Sequence, residues 1–155
     1  MEFQITALNV DEFSDLFGLD DESLARHRAR RMTVDSKPGY PCRVTLEDAE
    51  VGESVLLVNY EHLPVDSPYR SSHAVFVREG ATTRPPIVNA IPEQLRIRLL
   101  SIRAFDADGM MVDANVVHGN ESERVIRRLM GDSRVDYLHI HNAKPGCYAA
   151  RVDRL

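Results

Sequence analysis

The chain has 155 residues, a formal net charge of −5, 43% hydrophobic and 28% charged residues. That length suffices for one domain that buries roughly 70% of its unfolded surface without a disulfide or metal staple, and the composition excludes a disordered chain. The acidic balance argues against a phosphate backbone as partner, and no apolar run approaches the ~20 residues of a membrane span. Met1-Glu2-Phe3-Gln4-Ile5 lacks the basic start of a signal peptide. The two cysteines, Cys42 and Cys147, do not make a disulfide framework. The expectation is a single domain over residues 1–155, cytoplasmic, with both thiols reduced and neither nucleic acid nor membrane as partner.

Asp11 to Gly18 reads as a short helix, capped by Asp11 and ended by Gly18. A second helix follows from Asp20 or Asp21 to about Arg30, with acids in its first turn and arginines in its last. On this reading Arg26-His27-Arg28-Ala29-Arg30-Arg31 is a solvated helix end; no aromatic residues interleave to suggest base stacking. Ser36 to Pro41 is a turn region. Strands are predicted over Cys42–Leu46, Ser54–Tyr60 and His73–Arg78, with a turn at Gly52. Glu79 to Pro92 reads as a loop, and Pro92 to Leu95 opens a helical turn. Leu99–Phe105 and Met110–Val117 form a hairpin around Asp106-Ala107-Asp108-Gly109. Asn120-Glu121-Ser122-Glu123 resembles a capping box ahead of a helix whose Val125, Ile126, Leu129 and Met130 share one face. Arg134–His141 and Cys147–Asp153 are two last strands. The fold class is α+β: a mainly antiparallel sheet with two N-terminal helices and one later helix.

Side chains alternate faces along a strand. The rule places Tyr137, His139 and His141 on one face, with Leu138 and Ile140 on the other. It groups Asp113 with Asn115, and Cys147 with Ala149, Arg151 and Asp153. If the strands are neighbours, one sheet face is polar. His139 and His141 suit a zinc ion, with His73, His118, Asp113 or Cys147 as a third ligand. The competing reading, a polar sheet face with no metal and no cofactor, is the one adopted, because no ligand set has telling spacing. Cys147 is either a nucleophile with His139 or His141 as base or, as adopted, a small buried hydrophobe like Cys42. Asp106 to Val117 is not an EF-hand loop, since Val117 stands where the pattern needs Glu. No phosphate-binding glycine loop, Gly-X-Ser-X-Gly elbow or His-Glu-X-X-His motif is present.

Several segments together carry a family likeness. They are Lys37-Pro38-Gly39-Tyr40-Pro41-Cys42-Arg43, Leu46-Glu47-Asp48-Ala49, Gly52-Glu53 with Leu56-Leu57, Pro68-Tyr69-Arg70, Arg103-Ala104-Phe105-Asp106, and His141-Asn142-Ala143 with Gly146-Cys147-Tyr148. In this order they resemble the bacterial DUF1203 family of uncharacterised proteins. The resemblance implies no catalytic role for any residue. It places Arg43, Tyr69, Asn142 and Cys147 inside the recognisable segments. It also argues against His73 as a shared ligand, because sequences of the family it resembles often have Gly-Pro-Ile-Phe where this chain has His73-Ala74-Val75-Phe76.

The function expected from the sequence is binding of a small ligand or a protein partner through the polar sheet face, with homo-oligomerisation possible. Candidate binding residues are Arg43, Tyr69, Asp113, Tyr137, Asn142 and Arg151. The alternative is an enzyme using His139, His141 and Cys147, with or without a metal.

Overall fold

The computed structural model describes residues 1–155. Eleven strands make two sheets. The six-stranded sheet has the order β7 (Ile87–Val88), β1 (Phe3–Thr6), β11 (Tyr148–Arg154), β10 (Tyr137–Asn142), β8 (Leu99–Phe105), β9 (Met111–His118), and is antiparallel throughout. The five-stranded sheet has the order β2 (Ala29–Thr33), β5 (Ser54–Leu63), β6 (Ser71–Arg78), β3 (Pro41–Cys42), β4 (Glu47–Asp48). It is mixed, because β3 runs parallel to β6. Three helices, α1 (Asp21–Arg26), α2 (Glu93–Arg96) and α3 (Ser122–Met130), accompany the sheets, and only α3 exceeds two turns. No helix is long and apolar enough to cross a membrane.

The mostly antiparallel pairing is as expected, but it is divided between two sheets rather than gathered in one, and the helical part also needs correcting. Asp11 to Gly18 is not an α-helix. It forms two 3-10 turns, Val10–Glu12 and Ser14–Leu16. Tertiary contacts hold its ends: Val10 N–H donates to Thr83 Oγ1 at 2.8 Å and Gly18 N–H to Glu79 Oε2 at 3.1 Å. The second helix starts as expected, with the Asp20 carboxylate accepting from Ser23 N–H at 2.8 Å. It ends at Arg26, however, and Arg28 adopts φ 53°, reversing the chain into β2. Arg30 and Arg31 are therefore strand residues. β3 stops at Cys42, so Arg43 to Leu46 is a turn. Within the predicted loop, Ile87–Val88 pairs with β1. The capping box does not form; the Ser122 hydroxyl donates to Gly119 O at 2.6 Å instead.

The two faces of β10 meet different surroundings. Leu138 and Ile140 join Leu100, Ile102, Ala104, Ala150 and Val152 in a core against Ile126 and Leu129 of α3. Burial of this size is the main favourable term of the fold. Gly119 sits where α3 begins against α2; a Cβ there would lie 1.9 Å from Leu95 O. Tyr137, His139 and His141 face the other way, toward the five-stranded sheet. That sheet has its own core of Leu56, Val58, Val75 and Val77 with Phe13 and Leu24, and Tyr148 of β11 is part of it.

Candidate functional site

Four of the six histidines meet between the sheets. His139 and His141 come from β10, His62 from β5 and His73 from β6. His62 Nδ1 lies 3.2 Å from His139 Nδ1, and His62 Nε2 lies 2.9 Å from His73 Nδ1 and 3.1 Å from Ser71 Oγ. One nitrogen each of His62, His73 and His141 lies within 4.8 Å of the others. Tyr148 stacks on His62, with ring centroids 5.0 Å apart. Register irregularities in the ladders lie beside this cluster: one between Tyr60 and Leu63 of β5, one between Ile140 and His141 of β10. The second leaves Ala149 unpaired, so Tyr148 opposes His141 and the alternation of β11 slips.

Burial sets the charge state here. It pushes His62 down to about 4, helped by His73 and Arg103. Burial also pushes His141 down to about 3, against the opposing pull of the Gly146 carbonyl. His139 falls to about 2, by burial and then by His62 and His141, and burial with Arg103 lowers His73. All four are neutral imidazoles at pH 7. Arg103 stands on the same face, with Ser101 Oγ at 3.3 Å as its hydrogen-bond partner.

A second group of polar side chains lies at the end of β10. Because faces alternate, Asn142 turns away from His141, and Ala74 of β6 turns away from His73. Asn142, Ala74, Leu57 and Phe76 line a cavity of about 560 Å³, together with Pro41, Arg43, Ile97, Arg98, Leu99, Lys144, Pro145 and Cys147. The cavity is walled by apolar groups and carries few polar ones, as ligand pockets do. The turn after Cys42 drives Arg43 inward until it is 1% exposed. Its Nε donates to Tyr148 O at 2.8 Å, Nη1 to Pro41 O, and Nη2 to Cys147 Sγ at 2.9 Å. No carboxylate pairs with it. Burial lowers its pKa, and the Cys147 sulfur opposes that shift. Asn142 Nδ2 also reaches Cys147 Sγ, at 3.7 Å, while its buried Oδ1 has no partner. By contrast, Arg98 is matched by Asp48 at 2.9 Å.

A larger cavity nearby, about 640 Å³, is lined mainly by charges. Those charges pair among themselves: Arg78 with Glu53 at 3.0 Å, Arg84 with Glu47 at 2.8 Å, and Lys37 with Glu50. It therefore offers little free binding capacity. The cavity over Cys147 is the better candidate, because its buried cation and amide acceptor are not so matched.

A family model described as a protein of unknown function (DUF1203) matches residues 39–154. The chain belongs to the DUF1203 family. A search of curated proteins and a search of solved structures each found no match. The matched segment of this DUF1203 chain holds every residue of both polar groups.

Of the residues singled out in the sequence, Arg43, Asn142 and Cys147 meet in the cavity, and His139 and His141 meet in the histidine cluster. Cys147 takes its hydrogen bonds from Arg43 and Asn142, not from a histidine. Tyr137 shares the face of His139 but packs with Leu63 and Phe105 beneath Arg151, whose guanidinium lies 4.0 Å from the ring centroid. Arg151 is paired with Asp153 at 2.8 Å. Tyr69 is exposed and meets the edge of Phe105. Asp113 lies on the opposite face, paired with Arg128 of α3 at 3.2 Å. Cys42 is buried, its sulfur accepting from Arg78 N–H at 3.3 Å. The sequence reading missed His62. A lone histidine near a strand end gives no local signal, and its partners lie on a neighbouring strand, His73 and Ser71, and on the other sheet, His139.

Proposed function

We propose that this DUF1203 chain binds a small molecule bearing an anionic group in the cavity over Arg43, Asn142 and Cys147. The observation that carries the reading is the buried Arg43 guanidinium, whose neighbours are two carbonyls and a sulfur rather than a carboxylate. A buried charge is costly unless matched. A ligand carboxylate or phosphate beside it supplies the match, with Lys144 at the rim drawing the anion in. The orphaned Asn142 Oδ1 accepts a donor from the same ligand. A free thiol in the cavity fits a reducing compartment, the cytoplasm. One contact favours a second reading, chemistry at Cys147. Its sulfur lines the cavity and lies 2.9 Å from the Arg43 guanidinium, which sets a nucleophilic atom beside the place where an anionic ligand would sit.

Matched pairs of compounds at constant ionic strength test the binding. Carboxylates such as acetate and benzoate are expected to raise the melting temperature, and acetamide and benzamide are not. Lys144→Glu, at an exposed rim position, is expected to weaken the effect. Equal shifts from acids and amides, or indifference to Lys144→Glu, would refute the reading.

A further inference from the structure

The histidine cluster is separate from the anion cavity, although β6 and β10 contribute consecutive residues to the two. Its decisive feature is His141. That residue is fully buried, and its Nδ1 lies 2.9 Å from Gly146 O. A carbonyl only accepts, so Nδ1 carries the proton and Nε2 is a bare lone pair. This Nε2 is buried and has no partner in the protein. A buried acceptor left without a donor is unfavourable, and a ligand that takes its lone pair removes that penalty. The fixed tautomer, Nδ1–H on a backbone carbonyl with Nε2 free, is the arrangement that prepares an imidazole to hold a metal.

His62 and His73 bring two more nitrogens to the same place, with His62 Nε2 already 2.9 Å from His73 Nδ1. In a tetrahedral zinc site, bonds of about 2.0–2.1 Å set ligand nitrogens roughly 3.3 Å apart. The spread of up to 4.8 Å among the three ligand nitrogens closes to that with small side-chain rotations. We infer that His62, His73 and His141 hold one first-row divalent cation of the zinc class, with the fourth position left to water or an anion. His139 is a positioning residue: a proton on His62 Nδ1 is donated to His139 Nδ1, 3.2 Å away, which leaves His62 Nε2 free to ligate. Three imidazoles without a carboxylate select against calcium and magnesium, which take oxygen ligands. Arg103, on the same face, favours an anionic fourth ligand over a second cation.

The test uses the full chain without a histidine tag, stripped by chelator. Cobalt(II) and zinc(II) are titrated separately, reading visible absorption and heat. The expected result is one equivalent bound, with tetrahedral cobalt bands and a raised melting temperature with zinc. His73→Ala, at a half-buried position, is expected to weaken binding at least tenfold, as is His141→Gln. Should His141→Gln fail to fold, His73→Ala decides alone, with circular dichroism confirming its fold. His118→Ala, outside the cluster, and Cys147→Ser, in the anion cavity, are expected to bind as the parent does. Absence of cobalt bands, binding that survives His73→Ala, or binding lost in Cys147→Ser would overturn the assignment. None of these outcomes bears on anion binding beside Arg43.

Discussion

Arg43 shows how one side chain can tie a fold to a site. Its guanidinium joins the carbonyls of Pro41 in the five-stranded sheet and Tyr148 in the six-stranded one. Truncating it leaves both carbonyls without that donor, at roughly 1–3 kcal/mol each, offset in part by removing a buried charge. Arg43→Ala is therefore expected to lower stability by roughly 2–4 kcal/mol, read from urea unfolding. A neutral or stabilising effect would mean that the guanidinium is a net cost to the fold. Arg43 was legible as a member of a family-like segment, but its burial was not. An isolated arginine after a Pro-Cys pair reads as a surface residue, and its partner carbonyls lie up to 105 positions away. His62 was hidden for the same reason.

Elements with a strong local pattern were legible. β8 matches its predicted span, and the hairpin to β9 forms around Asp106, whose carboxylate accepts from Met110 N–H at 2.9 Å, with Gly109 at φ 75°. The faces of β10 followed from alternation alone. β2 was not legible, because Arg30 and Arg31 continue the cationic run that ends α1 and the run looks like a helix terminus. What makes β2 a strand is tertiary. Arg31 Nη1 donates to Leu19 O at 2.7 Å, and its Nη2 to Oε2 of Glu79, the residue after β6, at 3.2 Å. Glu79 also accepts from Ser54 Oγ at 2.7 Å and from Gly18 N–H. Arg31 first, then Ser54 and Gly18, hold its carboxyl down to about 2 from the ordinary 4.5. A carboxyl whose folded pKa is depressed stabilises the fold above its unfolded pKa and loses that contribution as pH falls. Glu79→Gln is thus expected to be less stable than the parent at pH 7, by about 1 kcal/mol for a partly exposed pair. The gap should narrow as pH falls from about 4.5 toward 2. A gap that is constant over that range would show that the pairing contributes nothing.

At the scale of the whole molecule, the two sheets are joined by side chains from both. Tyr148 of the six-stranded sheet lies in the core of the other, and Leu63 of the five-stranded sheet packs with Phe105 and Tyr137. The class of fold was legible because strand periodicity is local. The pairing of the sheets was not, since it rests on contacts such as His62 with His139, 77 residues apart. That pairing sets Arg43, from the turn after β3, against Cys147, just before β11, and so builds the anion cavity that is the centre of the functional account. The rates at which iodoacetate and iodoacetamide alkylate Cys147, resolved from Cys42 by peptide mass mapping, test that centre most directly. A cavity held positive by Arg43 and Lys144 concentrates the anionic reagent. The ratio of iodoacetate to iodoacetamide rates should then be about tenfold higher in the folded protein than in urea, and fall with added salt. A folded-state ratio equal to the unfolded one, or below it, would contradict the anion site.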